Sequence, residues 1–300
     1  MGESILMPSN VGLDTQNALA GLGKWRLERD DSQTDFPHRV YRNNEGDVFA
    51  SVTHILGETA PQHQKDALER WQERPTSGVE REVAATRGTL AHNHAEYLLK
   101  TAAKLGRQSA NKKGVYRTSA DGLERMPSKI TAWAIQKAIS SAPRVSWSAA
   151  GYARGLRSWI EGNITNIHAV EFSIQYVPTE NEAVAGLNGW AGTCDCLADV
   201  CSVGDEISEG PILIDWKTSQ NKRRDDLYVS YFDQLGAYSL GLTQNTGLKA
   251  RGGLVVCARR SGAPDVKYLN QQELFMAEER FMQRFKDFRK QLGNKKAPSV

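Results

Sequence analysis

The chain has 300 residues, with 38 Lys and Arg against 35 Asp and Glu and a net charge of +3, a basic excess too mild to mark a nucleic-acid binder by charge alone. Hydrophobic residues make up 40% and charged residues 24%, which fits one elaborated globular domain, and no apolar run reaches the roughly 18 residues of a membrane span. The opening residues carry neither a basic region nor a long apolar stretch, so the expected compartment is the cytoplasm, with no membrane partner and the four cysteines reduced.

Residues 1–50 read as an arm with a helix around 17–27, followed by a hairpin. In that hairpin Val40-Tyr41 and Val48-Phe49 flank the turn Asn43-Asn44-Glu45-Gly46-Asp47. Ser51 is placed to cap a helical turn through Val52, Ile55 and Leu56. A helix over 65–73 and a long Ala-, Leu- and Glu-rich helix over 79–105 follow. Residues 106–128 mix Gly, Ser and Asn with Arg107, Lys112, Lys113, Arg117 and Arg125. They read as a long mobile loop whose cations suit phosphate contacts. Helices over 128–139 and 148–160 complete a helical region, 51–165.

The remaining region, 166–300, forms one structural unit with the helical one. Strands are expected over 168–176, 190–200 and 212–217, then a helix over 225–242 and strands over 253–257 and 265–269. An amphipathic helix over 271–292 ends the region, its Arg280, Arg284, Lys286, Arg289 and Lys290 reading as a solvated face rather than a DNA-binding rim. This order predicts an α/β (α+β) fold, a mixed central sheet flanked by helices, with helical N-terminal additions.

The strongest chemical signal is Ile212-Leu213-Ile214-Asp215-Trp216-Lys217-Thr218-Ser219. Strand alternation puts Asp215 and Lys217 on one face and Ile214 and Trp216 on the other. A buried apolar strand does not normally end in two charges without a task. Asp195, in Gly192-Thr193-Cys194-Asp195, comes beside Asp215 if the two strands are antiparallel neighbours joined by the turn around 203–211. Two strand-held carboxylates suit a hard cation such as Mg²⁺, which commonly completes its shell with water and substrate phosphate. Phosphodiester hydrolysis is the natural chemistry. Lys222, Arg223 and Arg224 follow directly and suit phosphate contacts.

Cys194, Cys196 and Cys201 share this hairpin, but C-x-C-x₄-C is not a usual zinc-knuckle spacing. No iron-sulfur cluster is expected, and alternation turns Cys194 and Cys196 into the core, away from the face of Asp195. On the long helix, His92 shares a face with Thr89 and Glu96.

The strand order, with G-x-x-D on the second strand and D-x-K on the third, resembles the PD-(D/E)XK nuclease superfamily. Arg87-Gly88-Thr89-Leu90-Ala91-His92 resembles the R-G-T-x-x-H motif of its RecB-like exonuclease branch, and Gln234-Leu235-Gly236-Ala237-Tyr238 the Q-x-x-x-Y motif of the same branch. Ser51-Val52-Thr53-His54-Ile55-Leu56 is similar to the S-V-T-x-I-L segment of mitochondrial genome maintenance exonucleases and their phage relatives.

The resemblance implies a restriction-endonuclease-like core and a metal-dependent exonuclease acting on single-stranded DNA ends in replication, recombination or repair. Mg²⁺ is the implied cofactor, with Mn²⁺ able to substitute. Implied metal ligands are His92, Asp195, Asp215 and the main-chain carbonyl of Trp216. Lys217 is the cation that assists water attack, with Gln234 and Tyr238 beside it. Arg87, Thr89, Thr218 and Ser219 are implied DNA contacts, and Glu171, with Glu96, a supporting acid. A threaded strand is expected to stack on Tyr116 or Trp133. Rival readings are a flap or junction endonuclease and a non-catalytic DNA-binding subunit that retains the fold. The second is disfavoured by the joint presence of Asp195, Asp215, Lys217 and His92. Protein partners stay open.

Overall fold

The structure, a computed structural model, describes residues 27–32, 39–179, 186–201, 210–222 and 225–296, together with Leu19, Leu22 and Val184. Most of the helix expected around 17–27, the turn at 203–206, and Arg223 and Arg224 lie outside the described residues.

Strand β1 (Glu28–Asp30) pairs with β2 (Val40–Arg42), which pairs with β3 (Val48–Ser51), both antiparallel. The β2–β3 turn forms as read. The Asn43 side chain accepts the N–H groups of Glu45 and Asp47, and Gly46 takes the left-handed conformation at φ 88°. Ser51 Oγ accepts the His54 N–H and starts α1 (Val52–Glu58). Helix α2 (Gln62–Gln72) buries none of its residues, and α3 (Ser77–Lys113) follows. At ~1.5 Å per residue α3 is roughly 55 Å long.

Segment 106–128 is not the loop the composition indicated. Gly106, read as a helix end, instead permits a close crossing: a Cβ there would stand 2.7 Å from Met126 Sδ. Helix α3 therefore runs on to Lys113 and stops at Gly114 with φ 63°, with Lys112 and Lys113 beside the negative end of its dipole. The rest is a hairpin, β4 (Arg117–Thr118) with β5 (Glu124–Arg125), held down by buried Leu123 and Met126. Arg125 also binds Asp121 and Asp199 at 2.7 Å each, and Asp199 faces His168 Nε2 at 2.9 Å. Tyr116 packs with Ala110, Met126 and Ile130 and is no open stacking platform.

Helices α4 (Ser128–Ser141) and α5 (Trp147–Asn163) lead into the long strands β6 (Ile164–Tyr176), β7 (Gly189–Val200) and β8 (Ile212–Ser219). After a 3₁₀ turn come α6 (Val229–Thr246), β9 (Gly252–Arg259), β10 (Asp265–Leu269) and α7 (Gln271–Lys296). The sheet runs β1-β2-β3-β7-β8-β9-β10, with β6 along the other edge of β7. It is mixed, because β3–β7 and β8–β9 are parallel and the remaining pairs antiparallel. Seven α-helices are present among the described residues, and none is long and apolar enough to cross a membrane.

Alternation in β8 and β9 divides the core into two layers. Ile212, Ile214, Trp216, Leu254 and Val256 pack with Ala91, Leu98, Tyr152 and Trp159 of α3 and α5. Leu213, Val255 and Cys257 pack with Leu235, Tyr238, Phe281 and Phe285 of α6 and α7. Trp190 anchors the second layer, stacked on Tyr176 at 4.0 Å and edge-on to Phe285 at 4.7 Å, contacts that add ~0.5–1.5 kcal/mol each beyond buried area.

Asp233 on α6 is buried and paired with Arg280 at 2.8 Å and Arg284 at 2.9 Å. Arg284 also donates to the Leu56 carbonyl and Thr59 Oγ1 of the α1 end. Arg284, read as solvated, is an internal brace, while Arg280, its side chain 40% exposed, reaches the same carboxylate from the surface.

The α6–α7 crossing depends on Gly236, where a Cβ would meet the Ala277 backbone at 2.5 Å. Gly57, on exposed α1 surface, has nothing within 4 Å. Gly236→Ala should therefore cost on the order of 1–3 kcal/mol of overpacking, whereas Gly57→Ala should gain about 0.5–1 kcal/mol of helix propensity. Urea unfolding of both variants measures the two signs.

Candidate active site at a fork in the sheet

Strand β7 has different neighbours along one edge. Its start pairs with β3 up to Ser51↔Ala191, and its end pairs with β8 from Cys196↔Ile214. Gly192 to Asp195 lie between, where β8 leaves β7 and continues beside β9 alone to Ser219↔Arg259. The next rung of the antiparallel ladder would be Asp195 opposite Asp215. Instead the ladder ends there, and the Trp216 N–H donates to Asp195 Oδ2 at 2.7 Å. A side-chain carboxylate thus satisfies the main-chain group that the fork strands.

Asp195 does not sit on a regularly alternating stretch. Cys194 lies in the α6–α7 layer and Cys196 in the α3–α5 layer, although they are two residues apart. Their partners on β6 switch in the same way, Phe172 opposite Cys194 and Val170 opposite Cys196. Glu171 stands at this switch with φ 49°, the one non-glycine residue at positive φ among the described residues. The expectation that simple alternation would send both cysteines to one face is corrected: both strands turn over at Glu171 and Asp195. Left-handed backbone at a residue other than glycine costs of order 1–3 kcal/mol and gathers at working sites.

On β8 alternation holds. Asp215 and Lys217 face α6, with Lys217 Nζ 2.5 Å from Asp215 Oδ2. Gln234 joins the group, accepting from Lys217 at 3.2 Å and donating to Asp215 Oδ1 at 3.1 Å and to the Tyr238 hydroxyl at 2.8 Å. Lys217 also lies 5.0 Å from the centre of the Tyr231 ring. Gly192 makes room for Tyr238, since a Cβ there would be 2.7 Å from its Cε1. From the opposite layer, His92 places Nδ1 3.8 Å from Asp195 Oδ2.

A cleft of about 320 Å³ opens over the fork, lined by Gly88, Thr89, His92, Asn93 and Glu96 of α3. Glu171, Thr193, Asp195 and Tyr238 line its floor, and Arg29, Arg39, Tyr41 and Thr53 its other wall. Burial pushes Glu171 up to about 8, with Asp195 and Glu96 adding repulsion. Burial likewise lifts Asp195 to about 6 despite Lys217 and the Trp216 N–H, and Asp215 to about 6 despite Lys217. Burial opposes the Lys217 ammonium, yet Asp215 and Asp195 outweigh it and hold its pKa above the ordinary lysine value. His92 is pushed down to about 4 by burial and by Lys217, so it is a neutral imidazole near pH 7.

One ammonium therefore faces more buried carboxylate than it can neutralise. The donor chemistry of carboxylates, imidazole and a main-chain carbonyl fits a divalent cation of the Mg²⁺ or Mn²⁺ type. Among the described residues no three His, Cys, Asp or Glu side chains close into a cage.

The other anticipated contacts scatter. Thr218 Oγ1 lies 3.3 Å from the position of a Cβ on Gly88, at the end of β8, and Ser219 donates to the Asn221 carbonyl. Lys222 is exposed. Arg87 lies over the Tyr152 ring at 4.7 Å. Lys112 is 20 residues beyond His92 along α3, roughly 30 Å away, so Lys112, Lys113 and neighbouring Arg117 are not brought to the cleft. Arg29 and Arg39 were not anticipated. Only the β1–β2 pairing carries them to the cleft, and both bind Asp31 there, with Arg39 at 2.5 Å and Arg29 at 2.7 Å.

The sequence profile of the PD-(D/E)XK nuclease superfamily matches residues 60–297. The chain belongs to that superfamily. Among solved structures, a protein named "putative exonuclease" from Eubacterium rectale is similar at 15% identity over 68% of each chain, with a TM-score of 0.29. No curated protein matches.

The raised carboxyls carry a signed consequence. In the unfolded chain they titrate near 4, so the stability they contribute is whole below about pH 4 and is lost as pH rises through about 6 for Asp195 and Asp215 and about 8 for Glu171. His92, lowered from 6.5 to about 4, works the other way, but only below about pH 6.5. From about pH 6.5 to about pH 8.5 the metal-free protein should therefore lose stability, Glu171→Gln should lose less, and Mg²⁺ should raise the unfolding midpoint more at the higher pH. Urea titrations in EDTA and in Mg²⁺ measure this. Identical profiles for wild type and variant would mean that Glu171 is ionised throughout.

Proposed function

We propose that the protein is a metal-dependent deoxyribonuclease of the RecB-like exonuclease type, hydrolysing phosphodiester bonds at single-stranded DNA ends. The observation that carries this reading is the Lys217–Asp215–Gln234–Tyr238 group set against Asp195 and His92 at the fork. His92, Asp195, Asp215 and the Trp216 carbonyl would hold Mg²⁺, or Mn²⁺ in its place. When bound, the cation supplies charge for the phosphate oxygens and a more acidic water.

The chain's own residues supply position and protons. Lys217 is a donor at the point where water meets phosphorus, and its charge stabilises the oxyanion that develops there. Gln234 holds this ammonium and the Asp215 carboxylate in one geometry. The Tyr238 oxygen accepts from Gln234, which leaves its proton to be donated into the cleft that it lines. Glu171 and Glu96 add acidic donors around the same space. Arg29 and Arg39, the guanidinium groups that line the cleft, take the phosphates flanking the scissile one.

End-labelled linear and circular single strands and linear duplex, incubated with Mg²⁺, Mn²⁺ or EDTA, test the reading. Linear single strands should be degraded in either metal and circles spared, and Lys217→Ala should lose at least ~100-fold in rate. Cut circles would mean an endonuclease, and intact DNA that is still bound would mean a non-catalytic binding subunit. Arg29→Gln with Arg39→Gln should raise KM, leave kcat within a fewfold and flatten the dependence of log affinity on log salt by about 1–2. A fall in kcat alone would place the pair at the chemical step.

A further inference from the structure

Trp147, the first residue of α5, is 84% exposed, the most open large hydrophobic side chain among the described residues. The Arg260 guanidinium lies 5.8 Å from the centre of its ring. The pair lies beyond the Lys217 end of the sheet and is tied to the rim of the cleft through the helices. Along the sheet, Lys217, which does not itself line the cleft, pairs with Cys257, and Arg260 follows three residues later, about 10 Å at ~3.3 Å per residue. Along the helices, Gly151 lets α5 touch this turn, since a Cβ there would be 1.9 Å from the Arg260 carbonyl oxygen. The next residue, Tyr152, carries Arg87, whose neighbours Gly88 and Thr89 line the cleft. Arg87 Nε is itself shut off from solvent without a hydrogen-bond partner among the described residues.

We infer that Trp147 and Arg260 form a base-stacking platform for an unpaired nucleotide of the substrate strand just outside the cleft. This rests on the nuclease reading and specifies its substrate class. An open indole face offers any unpaired base a stacking partner without sequence preference. An adjacent guanidinium supplies both a planar surface and the charge that a polyanion requires. A base inside a duplex is already stacked on its neighbours and gains nothing from the indole, so the platform favours single strands. Tyr116 is partly buried against Ala110, Met126 and Ile130, and Trp133 on α4 is 44% exposed against 84% for Trp147.

The test is binding by the full-length Lys217→Ala protein in Mg²⁺, where the strand stays intact, with Trp147→Ala and Trp147→Phe added on that background. The probes are a thymidine oligonucleotide, an abasic oligonucleotide of equal length and a blunt duplex. Trp147→Ala should weaken thymidine binding on the order of tenfold, leave abasic and duplex binding within twofold, and be largely rescued by Phe. Arg260→Gln should reduce the salt dependence for all three probes. The exposure of Trp147 means that the melting temperature should not move, which controls for folding. Equal loss on thymidine and abasic probes, or no loss on either, overturns the platform. Failure of the nuclease reading shows separately, as intact linear strands in the digestion with wild-type protein.

Discussion

The structure depends on a point where two strands stop pairing. A β-ladder can carry two neighbouring carboxylates outward only if something replaces the hydrogen bonds lost where the strands separate. Asp195 does both tasks: its Oδ2 takes the Trp216 N–H, and its position beside Asp215 makes the acidic centre. The fork is thus a way of placing charge at the depth of a sheet without leaving main-chain groups unsatisfied. Its cost appears in Glu171, held at positive φ where β6 and β7 turn over together, and in carboxyl groups lifted out of their usual range.

That electrostatic imbalance has a direction. A cleft rich in carboxylates repels a phosphate backbone, and the Lys217 ammonium behind it is committed to Asp215 and Gln234. A divalent cation held there would remove the imbalance and reverse the sign of the local field. Guanidinium groups at the wall then meet a polyanion that the floor no longer rejects.

What could be read from the chain follows from the range of the interactions concerned. Period-two alternation over eight residues placed Asp215 and Lys217 together, and one hydroxyl three residues from an N–H placed the start of α1. The mixed sheet with helices on its faces was likewise legible, because each element announces itself by its own periodicity. Features set by distant partners were not. Nothing local to Gly106 says that Met126 will pass over it, so its helix was cut short. Nothing local to Arg29 says that β1 will border the cleft. The switch of face at Cys194 and Cys196 is a property of two strands coiling as a pair, invisible in either one. Asp199 stands in an otherwise apolar strand end, and its explanation lies with His168 and Arg125 on two other elements.

The Arg284 tie between Asp233, the Leu56 carbonyl and Thr59 has a mechanical consequence. It locks α1, α6 and α7 into one rigid wall, so Thr53, Gln234 and Tyr238 move together or not at all. The opposite wall is α3, whose first turns, with α2 before them, extend beyond the packed core as an unsupported beam. The width of the cleft is therefore set by how α3 lies against that wall, and the residues of α3 that face it come from beside its buried alanines.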